Sequence, residues 1–296
     1  MTDPHLSEVI SERRQLINLA YRLLGSLAEA EDVAQETYTR WYALSSQQRD
    51  AIASPGAWMT TVASRICLDL LGSARARREH YVGDWIPEPV PGGWLDGTGS
   101  APVDPADRVT LDESVSMAFL VVLDSMTPAE RVSFVLHDIF RYTFNEIAEV
   151  VGRTPAACRQ LASQARRRID TSRDRSTADR EDLVRSFKQA WESRDIEALV
   201  GLLDPSAVAT ADGGGLALAF LEPISGAEQI AAAWMEIAAR APAVTIQECS
   251  VNGQPGLVGQ VDGTTVSVYA FDIADGRITR IWAVRNPEKL GPWRAE

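Results

Sequence analysis

Residues 153–169 read RTPAACRQLASQARRRI and carry Arg153, Arg159, Arg166, Arg167 and Arg168 without one acidic residue. Thr154-Pro155 has the chemistry of a helix start, a capping hydroxyl followed by proline at the first helical position. From there Cys158, Leu161, Ala162, Ala165 and Ile169 recur at helical spacing and form an apolar stripe. Ala156, Arg159, Gln160, Ser163 and Arg167 project on the opposite face. Small residues at the helix start allow close approach to a groove, and Arg and Gln pair with guanine and adenine edges. Arg166 to Arg168, near the helix end, suit phosphates, although arginines there also complement the helix dipole.

The residues upstream favour DNA reading. Thr127-Pro128-Ala129-Glu130 and Thr143-Phe144-Asn145-Glu146 both have the spacing of a capping box, in which a threonine and a glutamate satisfy each other's end of the helix. Gly152-Arg153 then separates the second of these helices from the arginine-rich one. Two short capped helices joined through a glycine turn make a helix-turn-helix pattern.

A basic stretch is unexpected here, because the 296-residue chain has a formal net charge of -12. The charge is uneven. Residues 1–80 carry 9 basic and 10 acidic side chains, 81–114 carry 1 and 7, 115–176 carry 9 and 7, and 177–296 carry 10 and 17. The length suits two or three domains, each with its own core. No apolar run approaches the ~18 residues of a membrane helix, and the N-terminus lacks the apolar segment of a signal peptide. A cytoplasmic location without membrane partners is expected. Cys67, Cys158 and Cys249 are odd in number and lack metal-ligand spacing, which predicts buried small hydrophobes and calls for no metal or cofactor.

The first block is helical. Leu16, Leu19, Ala20, Leu23 and Leu24 form one run, Val33, Tyr38, Trp41 and Tyr42 another, with Gly25-Ser26 between them. SPGAWMTTVASRICLDLL starts with Ser54 as cap, and Trp58, Val62, Ile66 and Leu70 are predicted to line one face. Arg75, Arg77 and Arg78 close that helix. With Arg65 and Trp58 they suit single-stranded nucleic acid, where phosphates are neutralised and bases stack; Trp58 also fits a core position. Glu29, Glu31, Asp32 and Glu36 form an acidic face, unsuited to DNA, that is either solvated or a protein-docking site.

From Tyr81 to about Arg108 proline, glycine and aspartate dominate, which reads as a linker. Trp85, Ile86 and Trp94 within it indicate either local clustering or docking on a neighbouring domain. Beyond residue 180, two amphipathic helices with Leu183, Phe187 and Trp191 on one side lead to a further helix, GAEQIAAAWMEIAARA. Strands VTIQECSV, GLVGQV, TTVSVYAFDI and RITRIWAV follow, and Asn252-Gly253, Asp262-Gly263 and Asp275-Gly276 are hairpin signals. Helices followed by a curved antiparallel sheet predict an α+β domain.

AEDVAQETYTRWY, SPGAWMTTVASRICLDLL and MTPAERVSFVLHDIF with TFNEIAEVVGRTPAACRQLASQARRRI resemble, in order and separation, domains 2 and 4 of the extracytoplasmic-function sigma factors of the sigma-70 family. The remainder resembles a SnoaL-like cone domain, and WIPEP at 85–89, DGGG at 212–215 and NPEKL at 286–290 resemble signatures of the subgroup carrying that extension. The resemblance implies a multidomain chain. All-α sigma domain 2 spans 1–80, a linker 81–109, helix-turn-helix sigma domain 4 110–172, and the α+β SnoaL-like domain 180–296. It implies core RNA polymerase (β′ clamp and β flap) and promoter DNA as partners, with Asp32, Gln35 and Glu36 on the clamp. Trp58, Arg65, Arg75, Arg77 and Arg78 would serve the -10 element. Ala156, Arg159, Gln160, Ser163, Arg166 and Arg167 would serve the -35 element. Two departures stand out: Arg65 where many relatives have Asn, and Leu216 where the subgroup often has Lys.

For the extension, Trp85, Ile86, Pro87, Glu88, Pro89, Asp212, Gly213, Gly214, Gly215, Asn286, Pro287 and Lys289 are the expected regulatory contacts. DGGG also reads as a tight turn between strands and NPEKL as a terminal turn whose Leu290 packs inward. Three roles stay open: a built-in regulator, a receptor for a small-molecule ligand, or an enzyme, with Asp212, Glu222, Glu248 and Asp272 as the acids. No acid–base pair is evident, and no catalytic residue is assigned. The alternative for the whole chain is a one-component helix-turn-helix regulator with a ligand-binding or enzymatic cone domain.

Overall fold

The computed structural model describes residues 4–78, 81–92, 115–169 and 177–294, with side chains described from residue 12 in the first helix, to 73 in the fourth and from 179 onward in the C-terminal part. Trp94 and the rest of the stretch 93–114 therefore lie outside the described residues. Among those described, 4–78 and 122–169 form one unit, and 81–92, 115–121 and 177–294 form another. The boundaries differ from those expected at 80, 109 and 172. The segment 81–92 is part of the C-terminal unit, and both helical regions share the first.

In the first unit α1 (Pro4–Leu24), α2 (Leu27–Ala43) and α4 (Pro55–Arg78) pack around Leu16, Leu19, Tyr21, Leu23, Val33 and Met59, while the short α3 (Ser46–Asp50) buries none of its residues. The buried face of α4 is Met59, Ala63, Cys67 and Leu71. That is one residue on from the predicted Trp58, Val62, Ile66 and Leu70, which are only half-buried. Small Ala63, Ser64 and Cys67 let α4 approach α1 and α2 closely, so the larger side chains are left along its flank.

Beyond the linker come α5 (Met117–Asp124), α6 (Pro128–Phe134), a π-helical turn (Val135–Ile139), α7 (Phe144–Val151) and α8 (Pro155–Ile169). The expected capping boxes are present: Thr127 and Thr143 each accept from the amide of Glu130 or Glu146, whose carboxylate takes the threonine amide in return. Gly152 ends α7 with φ of 69°, a left-handed conformation in which glycine carries no Cβ penalty. Cys158, Ala162 and Ala165 of α8 are buried as predicted.

The C-terminal unit packs α9 (Thr177–Ser193), α10 (Ile196–Leu202) and α11 (Ala227–Arg240) on one face of a six-stranded sheet. Its strands are β1 (Leu203–Asp212), β2 (Ile224–Ser225), β3 (Thr245–Val251), β4 (Gln254–Val261), β5 (Thr264–Ala274) and β6 (Arg277–Val284), in the order β2-β1-β6-β5-β4-β3. The three hairpin turns hold Asn252, Asp262 and Asp275 at φ of 52°, 50° and 50°, each followed by a glycine at positive φ, the backbone that matches strand twist. The sheet is mixed rather than purely antiparallel: β1, absent from the sequence reading, lies parallel to β6.

Alternation along the strands gives the sheet two buried faces. Tyr269, Phe271, Ile281 and Ala283 face the helices. Val268, Ala270, Trp282 and Val284 face the other way, against Ile86, Met117 and Leu290. A strand covered on both faces reads as a near-continuous apolar run, as Ile281 to Val284 of β6 does.

Candidate functional site

The helix-turn-helix presents its polar face to solvent. Ala156, Arg159, Gln160, Ser163, Arg166 and Arg167 are all exposed on α8. The terminal arginines differ in their attachments. Arg166 pairs with Asp138 at 2.6 Å, and Arg168 bonds the Ser125 carbonyl at 3.2 Å, so both brace their own domain. The Arg159 guanidinium lies 5.1 Å from the Phe144 ring centre, which stations it at the mouth of the turn. Glu130 and Glu146 sit below the ordinary value of 4.5. Burial pushes Glu130 up, but the amide and hydroxyl of Thr127 together with Arg168 outweigh it; for Glu146 the Thr143 hydroxyl and amide lower it.

A lowered folded-state value means that these caps contribute stability above the ordinary value and lose it as pH falls through the folded one. As pH falls below 4.5, helicity should therefore drop more steeply in the wild type than in a Thr127→Val, Thr143→Val double variant. Equal acid slopes by circular dichroism would remove the caps from this account.

On α2, Asp32, Gln35 and Glu36 are exposed together, and Glu36 pairs with Arg40 at 2.9 Å. On α4, Trp58 is half-buried with its ring 5.3 Å from that of Trp41, and Tyr42 is 64% exposed beyond them. Arg65 is exposed but engaged, donating to the Glu149 carbonyl of α7 at 2.9 Å. The side chains of Arg75, Arg77 and Arg78 lie outside the described residues. A second link between the helical regions was not legible in the sequence: buried Arg131 donates to the Leu23 carbonyl at 2.8 Å and to Asp124 at 2.9 Å.

The three signature stretches of the C-terminal unit converge, and the parallel β1–β6 pairing is the reason. Asp212 ends β1 opposite Val284 at the end of β6, so the DGGG turn and the chain entering NPEKL leave the sheet side by side. The amides of Arg285 and Asn286 both donate to the Asp212 carbonyl, at 2.7 and 2.9 Å. Asp212 is 0% exposed, and its carboxylate receives Lys289 Nζ at 2.6 Å, the Tyr81 hydroxyl at 2.6 Å, the Ile86 amide at 3.0 Å and the Gly214 amide at 3.1 Å. Lys289 also donates to the Ile86 carbonyl at 2.5 Å and lies 4.2 Å from the Trp85 ring centre.

Gly214 has φ of 60°, and a Cβ there would run into the Asn286 amide, which donates to the Tyr81 hydroxyl at 2.8 Å. Burial and the neighbouring Asp212 carboxylate push the Tyr81 phenol well above its usual range, keeping it a neutral donor. Ile86, Pro87, Glu88, Pro89 and Val90 are all buried. The Trp293 indole nitrogen donates to the Pro89 carbonyl at 2.8 Å, and Leu290 joins the cluster around Ile86. Residues 81–92 of the stretch read as linker thus form a fixed strap across the outer sheet face. Gly213 is buried with it, whereas Gly215 is exposed and Pro287 half-buried.

The other acids do not join Asp212. Glu222 is exposed, Glu248 pairs with Arg185 at 3.2 Å, and Asp272 lies between the inward-facing Phe271 and Ile273. The space between helices and sheet is packed with Phe187, Trp191, Trp234, Tyr269 and Phe271 in edge-to-face contact. Cys67 and Cys158 are buried and Cys249 half-buried, its thiol pushed up to about 12 by burial. Among the described residues no helix is long and apolar enough to cross a membrane.

Residues 9–77 match the Sigma-70 region 2 family model and residues 116–169 the Sigma-70, region 4 model. The chain is 38% identical to the ECF RNA polymerase sigma factor SigJ of Mycobacterium tuberculosis, over 96% of this chain and 93% of the relative. The chain belongs to the extracytoplasmic-function sigma factors. The probable ECF RNA polymerase sigma factor SigI of the same organism is 35% identical over 99% of this chain and 97% of its own length. The crystal structure of M. tuberculosis SigJ matches with a TM-score of 0.76 at 33% identity, covering 97% of this chain and 98% of that one. This sigma factor therefore has helical regions 2 and 4 followed by an α+β sheet domain, and it is an RNA polymerase sigma factor rather than a stand-alone helix-turn-helix regulator.

Proposed function

We propose that this sigma factor docks on the β′ clamp of core RNA polymerase through Asp32, Gln35 and Glu36, with region 4 on the β flap. The α4 segment, with Trp58, Arg65, Arg75, Arg77 and Arg78, serves the -10 element. The exposed face of α8 reads the -35 element through Ala156, Arg159, Gln160 and Ser163, while Arg166 and Arg167 meet phosphates. The C-terminal unit is a built-in regulator that acts by gripping the chain between regions 2 and 4. The observation that carries this is the burial of Ile86 to Val90 against the sheet, with Asp212 and Lys289 bonding both the amide and the carbonyl of Ile86.

The regulator reading outweighs the receptor and enzyme readings on two grounds. The interior of the cone is occupied by aromatic rings, and Asp212, its most buried acid, already has four donors. Arg65 held on the Glu149 carbonyl further supports a resting state in which a -10 residue is engaged within the protein.

Run-off transcription with core polymerase on a -35/-10 promoter tests the reading. Asp32→Lys with Glu36→Lys should lower output at least about tenfold with unchanged helicity, since like charges would then meet across the docking surface; full competence would end the docking role. Removing the buried charges together, Asp212→Asn with Lys289→Met, should change promoter-dependent output. Unaltered output from a folded variant would end the regulatory role. These variants are better probes than truncation at Thr171, which would strip the sheet from Ile86 and Met117.

A further inference from the structure

The turn between β3 and β4 carries a residue whose burial its turn chemistry does not require. Asn252 occupies the first position of an Asn-Gly hairpin, where a side chain ordinarily meets solvent, yet it is 0% exposed. Its Oδ1 accepts from the Val90 amide at 3.1 Å, and its Nδ2 donates to the Val115 carbonyl at 2.9 Å. Its own amide donates to the Val90 carbonyl at 2.8 Å. Next to it, Pro91 bridges to Val251 and the Gly92 amide donates to the Ser250 carbonyl at 3.0 Å. Apolar packing repeats the pattern, since Ile86, Met117 and Val251 belong to one buried cluster.

We infer that Asn252 is a positioning residue that fastens the chain leaving region 2 and the chain entering region 4 to one amide group, and so sets the working length of the connector between them. Val90 and Val115 are 25 positions apart, a stretch able to span ~85 Å when extended. With both its flanks on Asn252, that length is withdrawn from the tether whatever path residues 93–114 take. Met117, two residues past Val115, is the first residue of α5, the helix that leads into region 4. An amide suits the task because it offers an acceptor to a backbone N–H and a donor to a backbone carbonyl at once. The inference rests on the reading of the C-terminal unit as the regulator of the connector and names the residue that sets its length.

Two variants separate the fastening from the hairpin. Asn252→Gly keeps the positive-φ turn and removes both side-chain bonds. Asn252→Asp keeps the acceptor for Val90 and places an oxygen against the Val115 carbonyl. Hydrogen exchange on the full chain should show the amides of Val90, Gly92, Phe119 and Leu120 exchanging about ten- to a hundredfold faster in the glycine variant, with the β4–β5 ladder still protected. In the aspartate variant only the Phe119 and Leu120 side should accelerate. Unchanged protection of both segments, or loss spread evenly over the sheet, would overturn the inference.

Promoter spacing supplies a readout that lost stability alone does not move. Lengthening the tether should raise the output of the glycine variant from promoters one base pair too short or too long, relative to the optimal spacing, by about threefold. A proportionate loss on every promoter, or an unchanged ratio, counts against the length-setting role. Failure of the Asp212–Lys289 double variant to alter transcription, with the exchange pattern of Asn252 intact, would instead sink the regulatory reading and leave the fastening standing.

Discussion

Replacing Lys289 with methionine is expected to destabilise the C-terminal unit by about 3–5 kcal/mol, because it strands a buried carboxylate. Asp212 is 0% exposed and Lys289 only 7% at its side chain, so solvent cannot take over the lost partner. Tyr81, Ile86 and Gly214 would still donate to the carboxylate, which sets the cost toward the lower end of that range. The Ile86 carbonyl would also lose its donor. Urea unfolding followed by tryptophan fluorescence measures the loss, with Trp85 next to Lys289 as reporter. A change below about 1 kcal/mol would mean that the pair is solvated in solution and does not hold the strap.

The Asp212→Asn, Lys289→Met double variant should recover part of that stability. Asparagine keeps one acceptor oxygen, which can still serve Tyr81 and Gly214, and leaves no buried charge behind. With Asp212→Asn as the second single variant, the cycle isolates the coupling of the pair from the packing of the lysine stem on Trp85 and Tyr81. It also separates stability from regulation. A double variant that folds well but transcribes differently shows that the charge pair sets the grip on the strap rather than merely keeping the sheet intact.

Local chemistry was legible in the sequence wherever one short stretch decides the outcome. The capping boxes at Thr127 and Thr143, the proline after Thr154 and the Asn-Gly and Asp-Gly turns all depend on neighbours within about four residues. What escaped was non-local. LDPSAVATAD does not announce a strand, with proline and two aspartates in ten residues, and parallel pairing with β6 is what makes it one. That pairing alone juxtaposes DGGG with NPEKL. The hold on 81–92 was only half legible: Trp85 and Ile86 left docking open beside a linker, but the partners lie far off in sequence, and Pro87 and Pro89 suit an extended strap whose remaining amides find side-chain and edge-strand partners. Asn252 looked like any hairpin residue because its second role lies in Val90 and Val115, 162 and 137 positions away.

Arg131→Met is the second large effect, expected to cost the helical unit about 2–3 kcal/mol and to divide its unfolding into two steps. Arg131 follows a capping box and reads as a surface arginine, yet it is 4% exposed. Its guanidinium bonds the carbonyl of Leu23, in the last turn of α1, where helix carbonyls lack intrahelical donors and the dipole favours a cation. The same group holds Asp124 at the end of α5. Methionine matches much of the volume but leaves that carbonyl without its donor. Arg22 on α1, 5.8 Å from the Phe140 ring centre, is then left among the remaining ties between α1 and region 4. Regions 2 and 4 should consequently melt separately by calorimetry, whereas Arg131→Lys, which keeps the charge but not the fork, should fall between. A single transition at the wild-type midpoint in Arg131→Met would show that the two regions are coupled by other contacts, with Arg65 on the Glu149 carbonyl the first to examine.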